Sequence, residues 1–299
     1  MRTHSQACPP PRSAVVLRAP AKINWSLYVL NKRDDGFHNI LTLMQCVGLY
    51  DILSFRRSGS VEVIADMDIP MEQNLVFKAA VLLRDYAGVR EGAEITLEKE
   101  IPSGAGLGGG SSDAASALLG LNELWGLGLG IGELSELGAR LGSDVPFFFH
   151  CPMAFAEGRG ELLSPFRADV PYTLLLVKPP VPIPTKWAYG QMEQGKDLTK
   201  VDNKINNIKF LYEALQTGEV GRLKSCVHND FEAVAVKRHP VIGSLKEMLL
   251  EHGAVLSLMS GSGSAVFGLF DDRDRALHAS RHFSPYFHKI VETLTTGNK

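Results

Sequence analysis

The stretch Ile101–Ala115, IPSGAGLGGGSSDAA, decides how the rest of the chain is interpreted. Glycine recurs through its centre, at Gly104, Gly106, Gly108, Gly109 and Gly110. Glycine loses more conformational freedom on folding than any other residue, so this run indicates a loop whose backbone approaches another group closely. The spacing predicts a helix over Ser112–Trp125, directly after the loop. Free N–H groups followed by a helix N-terminus, with its partial positive charge, predict a phosphate-binding site.

Other glycine-rich loops fit this stretch less well. Gly104-x-Gly106-x-x-Gly109 satisfies the dinucleotide fingerprint, but Ala93–Ile101 alternates like a half-exposed strand and Pro102 intervenes, whereas the fingerprint follows a buried parallel strand. The Walker A pattern lacks its Lys-Ser or Lys-Thr, and the protein-kinase Val-Ala-Ile-Lys and His-Arg-Asp motifs do not occur. Two alternatives stay open, a nucleotide-binding oxidoreductase and a glycine-rich hairpin that holds no ligand.

Composition favours a cytoplasmic enzyme. The 299 residues are 45% hydrophobic, which suits two domains. A net charge of -2 argues against nucleic acid as a partner, and no apolar run approaches the ~20 residues of a membrane span. The four cysteines lack metal-ligand or Cys-x-x-Cys spacing, which predicts reduced thiols.

Apolar periodicity predicts an α+β protein, strand-rich in its first half and helix-rich in its second. The predicted strands are Ala14–Asn31, a strand pair in Leu41–Phe55 around Gly48, Val61–Ala65, Ile95–Ile101, Phe147–Phe155, Glu161–Phe166, Tyr172–Val177, Ala254–Met259, Ala265–Phe270 and Lys289–Thr295. The predicted helices are Asn74–Tyr86, Ser112–Trp125, Ile131–Leu141, Lys186–Gln194, Asn206–Gln216, Glu219–Val236, Val241–Glu251 and Arg273–Phe283. In the second half this order predicts an antiparallel sheet with helices on one face, after a domain boundary near residue 168.

Five motifs occur in a fixed order: Pro20–Asn24, Asp35–His38, the glycine-rich stretch, Gly142–Phe147 and Met259–Gly263. Together they resemble the GHMP kinases, the superfamily of galacto-, homoserine, mevalonate and phosphomevalonate kinases. Within it they are most similar to the branch that acts on a cytidine diphosphate conjugate of methylerythritol. The resemblance implies a two-domain GHMP kinase fold with the active site in the cleft between domains. It assigns residues 1–168 to a mixed-sheet, ATP-binding N-terminal domain and residues 169–299 to a ferredoxin-like C-terminal domain.

The resemblance also implies an activity. It is ATP-dependent phosphorylation of the 2-hydroxyl of the methylerythritol moiety, a step of non-mevalonate isoprenoid precursor biosynthesis, with ATP and Mg²⁺ as cofactors and a small molecule as the substrate. Another GHMP small-molecule kinase, of the mevalonate or homoserine type, is the alternative. A non-catalytic regulator of the same fold would be expected to have lost the catalytic acid or the glycines.

Two residues match the catalytic positions of the family. Asp144 would accept the proton of the substrate hydroxyl, and Lys22 would hold Asp144 ionised or contact substrate oxygens. From the residues alone, Asp144 is equally an Asp that caps backbone N–H groups in a turn before Pro146. Lys22 lies on the strand face that carries Asn24, Ser26 and Tyr28, so that face is polar and predicted to line a cleft.

The family's ligand-binding positions map onto further residues. For ATP they are Asn74, Leu75, Lys99, Pro102, Ser103, Gly104, Ala105, Gly106, Leu107, Gly108, Gly109, Gly110, Ser111 and Ser112; for the substrate they are Asn24, Phe37, His38, Thr185 and Tyr189. Asn74 would also be interpreted as a helix N-cap. Phe37 occupies a position that is more often Tyr in this motif, and Trp187 is a rival to Tyr189 for stacking on the cytosine. Ser112 is a possible Mg²⁺ ligand, but the sequence identifies no carboxylate ligand.

Overall fold

The computed structural model describes residues 14–66, 69–192 and 201–297. By its contacts the chain divides into two compact units. Among the described residues, unit 1 contains residues 14–19, those of Tyr50–Glu100 and Gly109–Phe149, and unit 2 contains Pro20–Leu49, Ile101–Gly108 and those from His150 onward. This division is spatial rather than sequential, and the domain boundary at residue 168 stays a prediction.

The order of elements is that of an α+β protein. The strands are β1 (Ala14–Lys32), β2 (His38–Ser58), β3 (Val61–Ala65), β4 (Gly92–Glu98), β5 (Met153–Glu157), β6 (Leu162–Phe166), β7 (Thr173–Lys178), β8 (His228–Asn229), β9 (Leu256–Met259), β10 (Val266–Phe270) and β11 (Phe287–Glu292). The helices are α1 (Leu75–Ala87), α2 (Gly109–Trp125), α3 (Ile131–Leu141), α4 (Thr185–Gly190), α5 (Val201–Thr217), α6 (Val220–Cys226), α7 (Glu232–Arg238), α8 (Val241–Glu251) and α9 (Arg273–Ser280). Among the described residues, no helix is long and apolar enough to cross a membrane.

Unit 1 packs three helices with a small mixed sheet. β3 runs parallel to β4, and β4 pairs antiparallel with the second half of β2. α1 begins at Asn74, whose Oδ1 accepts a hydrogen bond from Val76 N at 2.8 Å, and ends at a left-handed Gly88. The sequence prediction of this cap is confirmed. α2 is buried along most of its length and packs closely, since a Cβ on Gly120 would lie 2.4 Å from the Phe55 ring.

Unit 2 carries a second, wholly antiparallel sheet. Its strand order is β11-β7-β10-β9, and helices connect β7 to β9 and β10 to β11. This is the order of a ferredoxin-like domain, so the predicted α+β fold class is confirmed. In the same unit β1 pairs with β8 in parallel, and the first half of β2 pairs antiparallel with β5, which pairs with β6.

The core of unit 2 is built around Trp25. Tyr172 and Phe267 contact its ring edge-on, each with ring centroids 5.6 Å away. The Trp25 indole N–H donates to Gln45 Oε1 at 2.7 Å, which satisfies the polar atom of a fully buried ring. Ala105 and Leu107 belong to the same buried cluster, so the glycine-rich stretch is anchored in this core.

Three predicted elements were wrong. The strand pair around Gly48 is the single strand β2, because the chain continues as a strand through an exposed glycine and pairs with β5 before it and with β4 after it. The residues Pro146–Phe149 form a 3₁₀ turn, and the strand begins only at Met153. The predicted helix Glu219–Val236 is interrupted by β8, because Asn229 and Asp230 bond to backbone groups of other segments instead of continuing the helix.

Candidate active site

The glycine loop, defined here as Pro102–Gly108, alternates two kinds of residue. Gly104, Gly106 and Gly108 have left-handed φ angles of 61°, 76° and 72°. The intervening Ala105 and Leu107 are buried, and their carbonyl oxygens accept hydrogen bonds from Ala265 N at 3.0 Å and Lys22 N at 2.9 Å. Left-handed glycines that alternate with residues of negative φ are typical of a backbone concavity, or nest, in which successive N–H groups bind an anion.

A second loop packs directly on the first. The hairpin loop, defined as Ser260–Ser264, connects β9 to β10, and Ser260 Oγ donates to Gly106 O at 2.9 Å. A Cβ on Gly106 would lie 2.0 Å from Ser260 O, while a Cβ on Gly104 would meet no atom within 4 Å. Gly106 is therefore required by the packing of the two loops, a reason that is independent of any ligand.

Lys22 and Asn24 lie on β1 beside these loops. Lys22 Nζ donates to Asn24 Oδ1 at 2.6 Å, Asn24 Nδ2 donates to Thr42 Oγ1 at 2.8 Å, and Thr42 Oγ1 donates to Ser26 O at 2.6 Å. The face was predicted to be polar, and it is, but Lys22 is only 3% exposed. The polar face of β1 at these residues is thus buried and hydrogen-bonded within unit 2, and its side chains are not solvated. A Cβ on Gly261 of the hairpin loop would lie 3.3 Å from Lys22 Nζ, so the ammonium lies against that loop.

Three rings are in contact, those of His38, Tyr189 and Phe231, and Phe37 precedes His38 in the chain. We call these four residues the aromatic slot. His38 stacks on Tyr189 with centroids 5.2 Å apart and planes at 22°, and Tyr189 meets the buried Phe231 edge-on at 4.8 Å. Phe37 is 51% exposed, with the Arg159 guanidinium 4.9 Å from its ring centroid. Burial, helped by the Lys32 ammonium, holds the pKa of His38 below its ordinary value. The slot therefore combines an imidazole whose pKa is held low with an exposed ring.

Helix α4 separates the two candidate stacking residues. Trp187 lies under the Arg238 guanidinium, 4.2 Å from its ring centroid, whereas Tyr189 faces His38. Thr185 Oγ1 lies 3.0 Å from Ser262 Oγ of the hairpin loop. The structure thus brings Tyr189 to the Asp35–His38 turn and Thr185 to the hairpin loop, and it places Trp187 with other partners.

In unit 1, the remaining residues predicted for ATP gather around two helix N-termini. Asn74 caps α1, and Leu75 Cδ1 would lie 3.5 Å from a Cβ on Gly110, in the first turn of α2. Gly109 and Ser111 belong to the same first turn. Ser112 is fully buried, and its Oγ has no hydrogen-bond partner among the described residues. A buried hydroxyl without a partner is costly, so it is a free position for a ligand.

Lys99 forms an ion-pair cluster beneath α2. Its ammonium contacts the carboxylates of Asp51 and Asp113, the latter at 2.7 Å. Burial lowers the pKa of Lys99, but the two carboxylates outweigh it and hold the pKa above its ordinary value. Burial raises the pKa of Asp113 to about 7, which Asp51 reinforces and the Lys99 ammonium opposes. The Lys99 charge is therefore matched within unit 1, and its predicted place beside the adenine stays a prediction.

Asp144 stands in the turn between α3 and the 3₁₀ turn at Pro146. Gly142 N donates to Gly138 O at 3.1 Å and Val145 N donates to Gly142 O at 3.2 Å, so backbone bonds on both sides of Asp144 fix the turn. A Cβ on Gly138 would lie 2.9 Å from Val145 Cγ1, which shows how closely this turn packs on α3. Asp144 itself is half-buried. Its predicted role as proton acceptor stays a prediction.

Sequence reasoning missed the run Asn229–Glu232. Asn229 Nδ2 donates to Met259 O at 2.7 Å and to Gly261 O at 2.8 Å, and Glu232 Oε1 accepts from Met259 N at 2.7 Å. The available signal was the pair Asn229-Asp230 inside a predicted helix, because both residue types compete with the helix for backbone hydrogen bonds.

Two family models match the chain: GHMP kinases N terminal domain over residues 74–151 and GHMP kinases C terminal over residues 211–288. A solved structure of homoserine kinase from Cytophaga hutchinsonii shares the fold at a TM-score of 0.75 and 18% identity, covering 95% of each chain. The loop geometry, the ferredoxin-like sheet and these matches together define the GHMP kinase class.

Relatives within that class are more specific. The 4-diphosphocytidyl-2-C-methyl-D-erythritol kinase of Thermodesulfovibrio yellowstonii is 48% identical over 93% of this chain and 97% of its own. That of Syntrophotalea carbinolica is 44% identical over 89% and 93%. A crystal structure of 4-(cytidine 5'-diphospho)-2C-methyl-D-erythritol kinase superposes with a TM-score of 0.79 at 34% identity, over 93% of this chain and 99% of that one. The chain belongs to the 4-diphosphocytidyl-2-C-methyl-D-erythritol kinase family.

Proposed function

We propose that the chain uses ATP to phosphorylate the 2-hydroxyl of 4-diphosphocytidyl-2-C-methyl-D-erythritol, in non-mevalonate isoprenoid precursor biosynthesis. The observation that carries this choice among GHMP kinases is the His38–Tyr189 stack. Rings from segments 150 residues apart meet at the Asp35–His38 turn, beside the half-exposed Phe37. Aromatic rings of this kind hold a pyrimidine by stacking, which a mevalonate or homoserine substrate does not need.

ATP phosphates are assigned to the concavity of the glycine loop and to the N–H groups at the start of α2, Gly109 to Ser112. Both carry the partial positive charge that phosphate oxygens need, in a chain whose net charge of -2 offers no broad basic surface. Asn74, Leu75 and Lys99 are proposed to border the adenine. For Lys99 this role belongs to its alkyl chain, because its ammonium is already held by Asp51 and Asp113.

Magnesium is proposed as the partner of the ATP phosphates. The buried Ser112 Oγ, which has no hydrogen-bond partner in the described parts of the chain, fits a cation ligand at the start of α2. Mg²⁺ commonly keeps several waters and binds through one or two protein ligands plus substrate phosphates, and Ser112 Oγ would supply one of those protein ligands. When bound, the ion neutralises charge on the phosphates.

Asp144 is proposed to accept the proton of the 2-hydroxyl while that oxygen attacks the γ-phosphorus. The bond from the γ-phosphorus to the β–γ bridging oxygen breaks, and ADP leaves. Lys22 is proposed to contact the negative oxygens that gather there, and its hydrogen bond to Asn24 fixes its side chain for this task. Asn24, which also bonds to Thr42, is proposed to orient the substrate.

The cytidine end is proposed to bind at Phe37, His38, Thr185 and Tyr189. We further propose a cytoplasmic enzyme in which residues 1–168 and 169–299 act as the two domains of the superfamily. The alternative is a GHMP kinase of the mevalonate or homoserine type, which would retain the glycine loop but have no use for the aromatic slot.

A coupled ADP-release assay tests the substrate. The purified chain is offered ATP and Mg²⁺ with the cytidine diphosphate conjugate, mevalonate, homoserine or galactose in parallel. Of these four compounds, we expect only the conjugate to be phosphorylated. The corresponding methylerythritol compound without its cytidine is the matched control for the aromatic slot. Turnover of mevalonate or homoserine in preference to the conjugate would contradict this proposal and favour a GHMP kinase of the mevalonate or homoserine type.

A further inference from the structure

The segment Asn229–Glu232 connects the parts of unit 2 to which ligands are assigned. Asp230 Oδ2 accepts a hydrogen bond from Val29 N at 2.7 Å, which fixes the segment to β1. Phe231 contributes its buried ring to the edge-on contact with Tyr189. Glu232 accepts from Met259 N and is held in place by Lys246 Nζ, 2.6 Å from Oε2. Each residue of this segment therefore makes a different contact with another segment.

Asn229 makes the most exacting of these contacts. It is 5% exposed, and both hydrogens of its NH₂ group are used: Nδ2 donates to Met259 O and Gly261 O, while Oδ1 accepts from Phe231 N at 2.9 Å. Two carbonyl oxygens two residues apart converge on one NH₂ group. Only a side chain with two donors on one atom and an acceptor beside it satisfies this geometry.

The carbonyls that Asn229 holds flank Ser260, the residue that contacts the glycine loop. Ser260 Oγ donates to Gly106 O at 2.9 Å, and Ser260 O occupies the space in which a Gly106 side chain would lie. Ala265, the residue that directly follows the hairpin loop, donates from its N–H to Ala105 O at 3.0 Å. The position of the hairpin loop therefore determines the position of two consecutive residues of the glycine loop.

We propose that Asn229 is a positioning residue for nucleotide binding, which fixes the hairpin loop and through it the anion-binding conformation of the glycine loop. It does not touch the nucleotide. The inference rests on the proposed function, because it takes the glycine loop to be the phosphate site. Misplacement of binding groups by about 1 Å can cost roughly 100-fold in an enzyme, so a residue of this kind has a measurable effect without any ligand contact.

The test is direct binding of a non-hydrolysable ATP analogue with Mg²⁺ to the full chain, by titration calorimetry. Asn229→Asp keeps the shape of the side chain but turns a carboxylate oxygen toward two carbonyl oxygens. We expect its dissociation constant to rise roughly 10- to 100-fold, since a buried hydrogen-bond pair is replaced by repulsion. Relative to the wild type at the same pH, the defect eases on acidification, because a protonated carboxyl again donates one hydrogen bond.

Asn122→Asp is the matched control. Asn122 also bonds to backbone, with Nδ2 donating to Leu129 O and Oδ1 accepting from Leu129 N, but it lies near the C-terminal end of α2. Its variant should bind the analogue within about twofold of the wild type. An equal loss of analogue affinity in both variants would mean that general destabilisation of the fold is the cause, and the proposal would be overturned.

Ser260→Ala keeps the proposal testable if Asn229→Asp does not fold. It removes only the hydroxyl that reaches Gly106 O, and a weakening of roughly 3- to 10-fold is expected. Unchanged analogue binding in Ser260→Ala, or in a folded Asn229→Asp variant, would refute the proposal. The outcome is separate from that of the substrate assay, because analogue binding is read without the conjugate and without turnover.

Discussion

The glycine loop and the aromatic slot lie in the same unit but achieve binding in different ways. The glycine loop offers backbone groups whose directions are set by three left-handed glycines and by the burial of Ala105 and Leu107. The aromatic slot offers side-chain rings contributed by β2, the turn before it, α4 and the start of α7. One region depends on the course of the chain, the other on which side chains the fold brings together.

This difference predicts two kinds of response to mutation. In the glycine loop an added methyl group either fits or collides with backbone, so neighbouring glycines should respond very unequally. In the aromatic slot each ring contributes its own stacking energy, and its removal should cost a graded amount. The proposed proton acceptor, Asp144, belongs to neither region, so chemistry and binding should also be separable.

The largest effect is expected for Asp144→Asn. The amide keeps the shape of the carboxylate but loses its basicity, and general-base catalysis contributes typically about 10²- to 10⁴-fold. We expect the turnover number to fall by that factor while the affinities for ATP and for the conjugate stay nearly unchanged. Single-turnover kinetics with calorimetry of each ligand measures both quantities. Turnover within a few-fold of the wild type would remove Asp144 from the proposed mechanism.

Gly106→Ala should break the glycine loop. The new Cβ would lie 2.0 Å from the backbone oxygen of Ser260, at a φ of 76° that L side chains rarely adopt. We expect kcat/KM for ATP to fall by roughly 100-fold, in a protein whose circular dichroism shows it folded.

Gly104→Ala provides the control for that variant. Gly104 shares the left-handed φ, at 61°, but a Cβ there meets nothing within 4 Å. Only the conformational strain of about 1–2 kcal/mol remains. We therefore expect kcat/KM for ATP to fall about tenfold in this variant. Equal effects at the two positions would show that strain alone, and not the packing of the hairpin loop, makes glycine necessary at Gly106.

Tyr189→Ala should weaken the aromatic slot by a graded amount. Stacking of a base on an aromatic ring is worth about 1–3 kcal/mol by alanine substitution, so the conjugate's dissociation constant should rise roughly 5- to 150-fold. ATP affinity should change little. Trp187→Ala is the control, because the Trp187 ring contacts the Arg238 guanidinium, whereas the Tyr189 ring stacks on His38. Calorimetry that finds the loss in Trp187→Ala instead would move the stacking role to that residue.

The same contrast explains what the sequence could predict. The glycine-rich stretch is contiguous and its φ preferences are local, so the loop and the helix after it followed from residue types. The N-cap Asn74 and the helix Ile131–Leu141 followed for the same reason. The contact of Tyr189 with His38 depends on the path of the intervening chain, and the expectation of Tyr189 there came from a family resemblance.

The remaining errors came from tertiary contacts that overrode local propensity. The helical pattern of Glu219–Val236 gave way where Asn229 and Asp230 found backbone partners on β9 and β1, and no local signal reports where those partners are. The ion pairs of Lys99 with Asp51 and Asp113, which are 48 and 14 residues away in sequence, were not predicted either, while its place beside the adenine stays a prediction. Ion pairs at such separations become visible only in the fold.

The smallest expected effect is the pH response of the aromatic slot, which the backbone groups of the glycine loop cannot show. Burial, with a contribution from the Lys32 ammonium, lowers the pKa of His38 from its ordinary value of 6.5. The unfolded chain then binds more protons than the folded one over the interval between these two pKa values. The free energy of unfolding therefore decreases as the pH falls through that interval and is unaffected by His38 above it.

Tyr189→Ala exposes the imidazole to water and should bring its pKa back toward 6.5, whereas Tyr189→Phe retains the ring and should leave it low. NMR titration of the histidine ring protons measures the His38 pKa in the wild type and in the two Tyr189 variants. The His38 signal is identified as the one that disappears in His38→Gln. A His38 pKa that is the same with and without the Tyr189 ring would mean that the stack does not shield the imidazole, and the aromatic slot would then be open to water before any cytidine binds.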